Sequence, residues 1–301
     1  MPTKNDILWF KQEFSSKISN AVIGTPFTVD MLAAIACQET GYIWTPLNRD
    51  GHSTPKILEL CVGDTLDSPN RSAFPKNKAA LLLKQNGDKM FNIARQALLD
   101  MVKETGGLGY QGAARNPEKF CHGFGIFQYD LQFFMTDPNY FLNQDYKDFD
   151  KCLGKCLEEL KRCLKKVGLR SSQTLTNMEM AAVAIAYNTG GYNKSKKLKQ
   201  GHFDGSKFYG EAFFDFLTLC QSVSSFPSFD TGEKFTVQVL TDLNLRSDPV
   251  VASDNVIASL PNGQIVEAVT GLVVNGFMEV ETNLSGKLLQ GYVSTQFLKA
   301  S

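Results

Sequence analysis

No apolar stretch in the sequence approaches the ~18 residues of a membrane-spanning helix, which excludes a helical bilayer span. Charge of one sign is missing too: Lys+Arg and Asp+Glu both number 31, so nothing electrostatic argues for a dedicated nucleic-acid partner. The three histidines, His52, His122 and His202, fall at no ligand spacing, and there is no Cys-x-x-Cys pair, so no metal and no cofactor is expected. The seven cysteines are odd in number and follow no disulfide-scaffold spacing, which suits reduced thiols. Cys152, Cys156 and Cys163 lie on or beside one apolar helical stripe and are expected to pack in the core. The opening residues, MPTKNDILWFKQEF, lack the basic start and apolar core of a secretory signal, so synthesis in the cytoplasm is expected. There is no internal repeat and no low-complexity tract.

What is present suits roughly two globular domains: 301 residues, 43% hydrophobic and 21% charged. Up to about residue 222 the hydrophobic period is helical. Ile7, Phe10, Phe14, Ile18 and Val22 recur at three- and four-residue steps, as do Phe91, Ala94, Leu98 and Met101 in a helix predicted over 88–104. Tyr146 to Val167 is the clearest case, with acids at its start and lysines at its end, in the order the helix dipole favours. A linker is expected over 223–232, where Ser, Pro and Gly collect without a period. From residue 233 onward, Phe235, Val237 and Val239 alternate with polar residues, and Asn262-Gly263 and Asn275-Gly276 each carry a hairpin signal. The expected fold class is therefore α+β multidomain: a mainly helical domain over 1–222, then a small all-β domain over 233–301.

Three segments could carry chemistry. TVDMLAAIACQETGY predicts a short helix capped by Thr28 and stopped by Gly41, with Met31, Ile35 and Glu39 on one face. Partial burial and the negative end of the helix would both raise the pKa of Glu39, keeping a proton available for a leaving sugar oxygen. The same pattern fits a surface glutamate at a helix end. Gly123 to Asp130 sets glycines beside Gln128 and Asp130, as a sugar-binding wall requires or as an ordinary loop would. The alanine-rich helix after the capping box Thr176–Glu179 ends in Ala186-Tyr187-Asn188-Thr189-Gly190-Gly191, which presents Tyr187 and Asn188 or merely forms a C-cap. Lys194, Lys196, Lys197 and Lys199 read as a solvated loop or as a contact to an anionic polymer.

In this order the three segments resemble the goose-type lysozyme and lytic transglycosylase group: a helix carrying a catalytic Glu, then Gly-x-Gly-x-x-Gln, then Ala-Tyr-Asn-x-Gly. The resemblance implies a lysozyme-like, antibacterial glycosidase acting on peptidoglycan glycan strands. Glu39 would be its general acid and Asp130 its water-holding base, with Gly125, Gln128, Tyr187 and Asn188 against the substrate. It equally implies a rival chemistry, the lytic transglycosylase that forms 1,6-anhydro products, and a rival class, an inactive cell-wall-binding protein. Thr40 departs from the Ser that usually follows the group's Glu. An insertion at about 42–121 brings further carboxylates, Asp50, Asp64 and Asp67, any of which could replace Asp130. The C-terminal domain resembles the bacterial Src-homology-3-like barrel through Leu243–Pro249, Asn275–Val280 and Gly291–Ser294 with Phe297-Leu298, which implies a wall-binding module. Such an enzyme would act at the bacterial cell wall after delivery by another route. No motif identifies its export machinery or an immunity partner.

Overall fold

The computed structural model describes residues 1–223, 231–274 and 276–301. The chain is α+β and forms two compact units: Met1–Glu13 with Ala21–Val223, and Phe14–Asn20 with the described residues that follow Val223. Of the expected linker, residues 224–230 lie outside the described residues.

The helical elements are α1 (Lys4–Ala21), α2 (Val29–Arg49), α3 (Thr54–Leu60), α4 (Lys78–Leu82), α5 (Gly87–Thr105), α6 (Gln111–Arg115), α7 (Pro138–Leu142), α8 (Phe149–Lys166), α9 (Asn177–Thr189) and α10 (Tyr209–Gln221). α2 runs through the core, burying Met31 to Cys37 and then Ile43, Trp44 and Leu47. Fully burying each large apolar side chain contributes about 1.5–3 kcal/mol, so this one helix anchors much of the unit. α10 packs on α2 and α9, and α9 on α8. α9 opens with the Thr176–Glu179 capping box and ends on Gly190.

The expected stop of α2 at Gly41 is corrected. The helix starts on Thr28, whose hydroxyl accepts from the Met31 N–H, but continues to Arg49 with Pro46 inside its last turn. Gly41 is there for packing: a Cβ on it would lie 2.6 Å from Pro2 Cγ, and such room next to another chain segment does not end a helix. Glu39 is thus in the middle of α2, and the expected help from a negative helix end is lost.

A small antiparallel sheet, β1 (Val62–Gly63), β2 (Gly123–Phe124) and β3 (Tyr129–Asp130), aligns Gly63 with Gly123 and Gly123 with Asp130. Residues of the expected insertion are therefore woven into the helical unit beside the Gly123–Asp130 loop. All seven cysteines are buried and unbridged. No helix of the described residues is long and apolar enough to cross a membrane.

The second unit holds a curled antiparallel sheet of β4 (Lys234–Val237), β5 (Asp242–Arg246), β6 (Val256–Pro261), β7 (Ile265–Val274), β8 (Phe277–Leu284), β9 (Lys287–Ser294) and β10 (Leu298–Ala300), in the order β10-β4-β7-β8-β9-β5-β6. Its core is Phe235, Val237, Leu243, Leu245, Leu260, Val266, Met278, Val280 and Val293. Val274 faces Phe277 across the second expected hairpin, whose Asn275 lies outside the described residues. The first hairpin is corrected: Asn262-Gly263 turns tightly, but β6 pairs with β5 while β7 pairs with β4 and β8. A turn dipeptide fixes the local reversal; which strands then pair depends on the curl of the whole sheet.

Candidate active site

Glu39 stands mid-way along α2, half-buried, and burial raises its carboxyl from 4.5 to about 7. One group opposes that rise: the Tyr209 hydroxyl donates to Glu39 Oε1 at 2.8 Å, which favours the ionised form. Tyr209 is 3% exposed at the first turn of α10. It heads the buried stripe Tyr209, Phe213, Phe216, Leu217 and Cys220, and no motif in the sequence marks it. A phenol at the end of an apolar stripe, where a buried O–H needs an acceptor, was the signal available. Removing that donor in Tyr209→Phe is expected to move the Glu39 titration to higher pH by about half a unit to one unit. The shift is readable in the side-chain carboxyl resonance; a shift to lower pH would contradict the assignment.

The Gly123–Asp130 loop is held from two helices. Thr40, fully buried next to Glu39, donates its hydroxyl to the Ile126 carbonyl at 2.6 Å, and Tyr187 at the end of α9 donates to the Phe127 carbonyl at 2.6 Å. These charge-neutral bonds individually contribute about 1 kcal/mol; their value here is that two adjacent peptide groups are fixed, one to Glu39's own helix α2 and the other to α9. Gly125 takes φ 79°, and a Cβ on it would meet Cys152 Sγ at 2.5 Å. Gln128 also has positive φ, 54°. Its amide turns inward, donating to the carbonyls of Gly125 at 2.9 Å and Cys61 at 3.3 Å. Asn188 is exposed, with Oδ1 accepting from the His202 N–H.

Further polar side chains of the insertion are bonded to one another and to Asp130. Tyr42, one turn after Glu39, shares a hydrogen bond with Tyr110 at 2.9 Å, and Tyr110 accepts from the Asp64 N–H. Arg71 bridges Asp130 and Asp64, at 2.7 Å from Asp130 Oδ1 and 3.0 Å from Asp64 Oδ2. Burial pushes the Asp64 carboxyl up, but His122, the Leu66 N–H and Arg71 together hold it below its ordinary value. The fully buried His122 ring lies between Asp64 and Asp67, its nitrogens 3.8 and 3.7 Å from their oxygens. Asp67 also pairs with Lys119. Asp50 is exposed and closes α2 as its C-cap, apart from this cluster. Arg71 had no signal in the sequence, being a lone arginine in SPNRSAFP. Lys194, Lys196, Lys197 and Lys199 are exposed beyond α9.

Chemically, the arrangement offers a carboxylic acid that titrates near neutral pH on a helix bonded to the Gly123–Asp130 loop, and a second carboxylate, Asp130, whose place is set by an ion pair. Among the described residues no group of three or more His, Cys, Asp or Glu is placed to hold a metal ion. Compared with protein-family models, with curated proteins and with solved structures, the chain matches none of them.

Proposed function

We propose that this chain is a lysozyme-like glycosidase that degrades peptidoglycan, cleaving the β-1,4 bond between N-acetylmuramic acid and N-acetylglucosamine. The observation that carries the reading is the half-buried Glu39, its carboxyl raised to about 7 and its helix bonded through Thr40 to the Gly123–Asp130 loop. The Thr40 hydroxyl makes a bond that a serine could equally make, so the departure from the resembling group costs nothing at this point.

In the proposed reaction the Glu39 carboxylic acid gives its proton to the bridging oxygen. The C1–O bond breaks with its electron pair going to the departing N-acetylglucosamine O4, and an oxocarbenium-like centre develops on the muramic acid C1. A water held by Asp130 adds to C1 and gives up a proton to Asp130; Asp130 then releases that proton to solvent and Glu39 takes one up, so the net change is the addition of one water. The reaction takes no cofactor. Asp130's ion pair with Arg71 supports a second reading, because three of its acceptor positions are already taken and this alternative chemistry needs no base there. In that reading the muramic acid's own C6 hydroxyl attacks C1 and returns its proton to Glu39, which leaves a 1,6-anhydro end.

The β unit is proposed as a Src-homology-3-like wall-binding module, and the site of action as the bacterial cell wall. The competing proposal from another class is a wall-binding protein without catalysis. A suspension of purified peptidoglycan separates the two: the enzyme clears its turbidity catalytically, whereas a binder pellets with it and leaves turbidity unchanged.

A further inference from the structure

Arg71 spends every hydrogen-bond donor it has. Nε donates to the Pro75 carbonyl at 3.1 Å; Nη1 donates to Asp64 Oδ2 at 3.0 Å and to Asp130 Oδ2 at 3.1 Å; Nη2 donates to the Phe74 carbonyl at 2.9 Å and to Asp130 Oδ1 at 2.7 Å. The side chain is 7% exposed, and a guanidinium offers five N–H groups in a fixed fork. Such a buried, saturated cation is costly to assemble unless every partner is satisfied. Here the partners are two carboxylates and two carbonyls of its own loop.

The consequence falls on Asp130. Its Oδ1 accepts from Arg71 and from the Gln132 N–H at 2.7 Å, and its Oδ2 accepts from Arg71. A carboxylate has about four acceptor positions, so these three bonds leave one, on Oδ2, in a side chain still 26% exposed. We propose that Arg71 is a positioning residue for hydrolysis, clamping Asp130 so that this last acceptor position holds the attacking water. The proposal rests on the hydrolytic reading above. The clamp is itself anchored: Asp64, which shares Arg71, is fixed by its bond to the Leu66 N–H and stands against the buried His122 next to β2. The stretch from Asp64 to Pro75, inside the insertion, thereby supports a residue of the resembling motif.

The bidentate fork fixes the direction of Oδ2, which a lysine, with the same charge, cannot do. Arg71→Lys is therefore the informative substitution, with Arg71→Gln as a second variant should the lysine fail to fold, folding being judged by thermal melting. The substrate is soluble, uncross-linked peptidoglycan strands, with kcat, KM and product ends measured for the wild type, Arg71→Lys, Asp130→Asn and the double variant. Expected is a fall of about 10- to 100-fold in kcat for reducing-end products, with KM within about twofold. In the Asp130→Asn background the arginine substitution should cost nothing more, because its effect passes through Asp130.

An unchanged kcat in a folded Arg71 variant overturns this proposal and leaves the glycosidase reading standing, as does an equal loss in the Asp130→Asn background. Wild-type products that are all 1,6-anhydro also overturn it, since no water is then used. A wild type that cleaves no glycan strand overturns the function itself, and this proposal with it.

Discussion

Glu39→Gln is expected to fold, to release no more than about one-thousandth as many new glycan ends as the wild type, and to be the more stable protein at pH 8. The activity loss follows from general-acid catalysis, which typically contributes about 10²–10⁴-fold: the amide occupies the same space and can still accept from Tyr209, but has no proton to give. The stability gain follows from linkage. The Glu39 carboxyl ordinarily titrates at 4.5 and in the folded chain at about 7, so between those values the folded state holds a proton that the unfolded state has released. The stabilisation from the protonated form is complete below pH 4.5, declines as pH rises through 7 and is absent above it, a difference of about 3 kcal/mol at most. A glutamine never ionises and escapes this decline. Denaturant unfolding at pH 4 and pH 8 reads it directly: equal midpoints at the lower pH and a higher midpoint for Glu39→Gln at the upper. Equal midpoints at both would show that Glu39 ionises without hindrance. The same titration places the alkaline limb of activity near pH 7.

The largest expected loss of stability comes from Gly125→Ala. Its backbone φ of 79° lies in the left-handed region, which costs a residue with a Cβ about 1–2 kcal/mol. The added methyl would also stand 2.5 Å from Cys152 Sγ and 3.2 Å from the Tyr146 carbonyl, an overpacking that adds about 1–3 kcal/mol. Cys152 has little freedom to give way, since its thiol donates to the Tyr146 carbonyl at 3.0 Å and lies near the Tyr140 hydroxyl. A total of about 2–5 kcal/mol should lower the melting temperature of the helical unit by about 4–20 °C. Activity should fall further than the folded fraction does, because the carbonyls of Ile126 and Phe127 are displaced from Thr40 and Tyr187. A melting temperature within a degree of the wild type would show that the loop is looser than the close contact implies.

The sequence disclosed this architecture where chemistry is local and concealed it where packing decides. The α8 stripe, the α9 capping box and the alternation in β4 are legible because each rests on neighbours within one or two turns. The end of α2 was not legible, because Gly41 is a helix stop only when nothing packs against its bare Cα, and here Pro2 does. Asn262-Gly263 marked a real turn and misled about pairing for the same reason: β6 finds β5 rather than β7 once the sheet curls. Glu39 is legible from its place on an apolar face, but its raised pKa comes from burial and not from a helix end, because α2 continues ten residues beyond it to Arg49. Tyr209 and Arg71 reach the site from 170 and 59 residues away along the chain from their carboxylate partners, Glu39 and Asp130. No periodicity or short motif spans such separations.

The central claim is that Glu39 donates a proton to a glycosidic oxygen of peptidoglycan, and mass spectrometry of a digest of purified sacculi tests it most directly. Wild-type protein near pH 6 should release muropeptides ending in muramic acid, reducing if a water attacks and 1,6-anhydro if the C6 hydroxyl does, and Glu39→Gln, folded and at equal concentration, should release neither. Sacculi left intact by the folded wild type, or the same ends appearing with Glu39→Gln, would contradict the account.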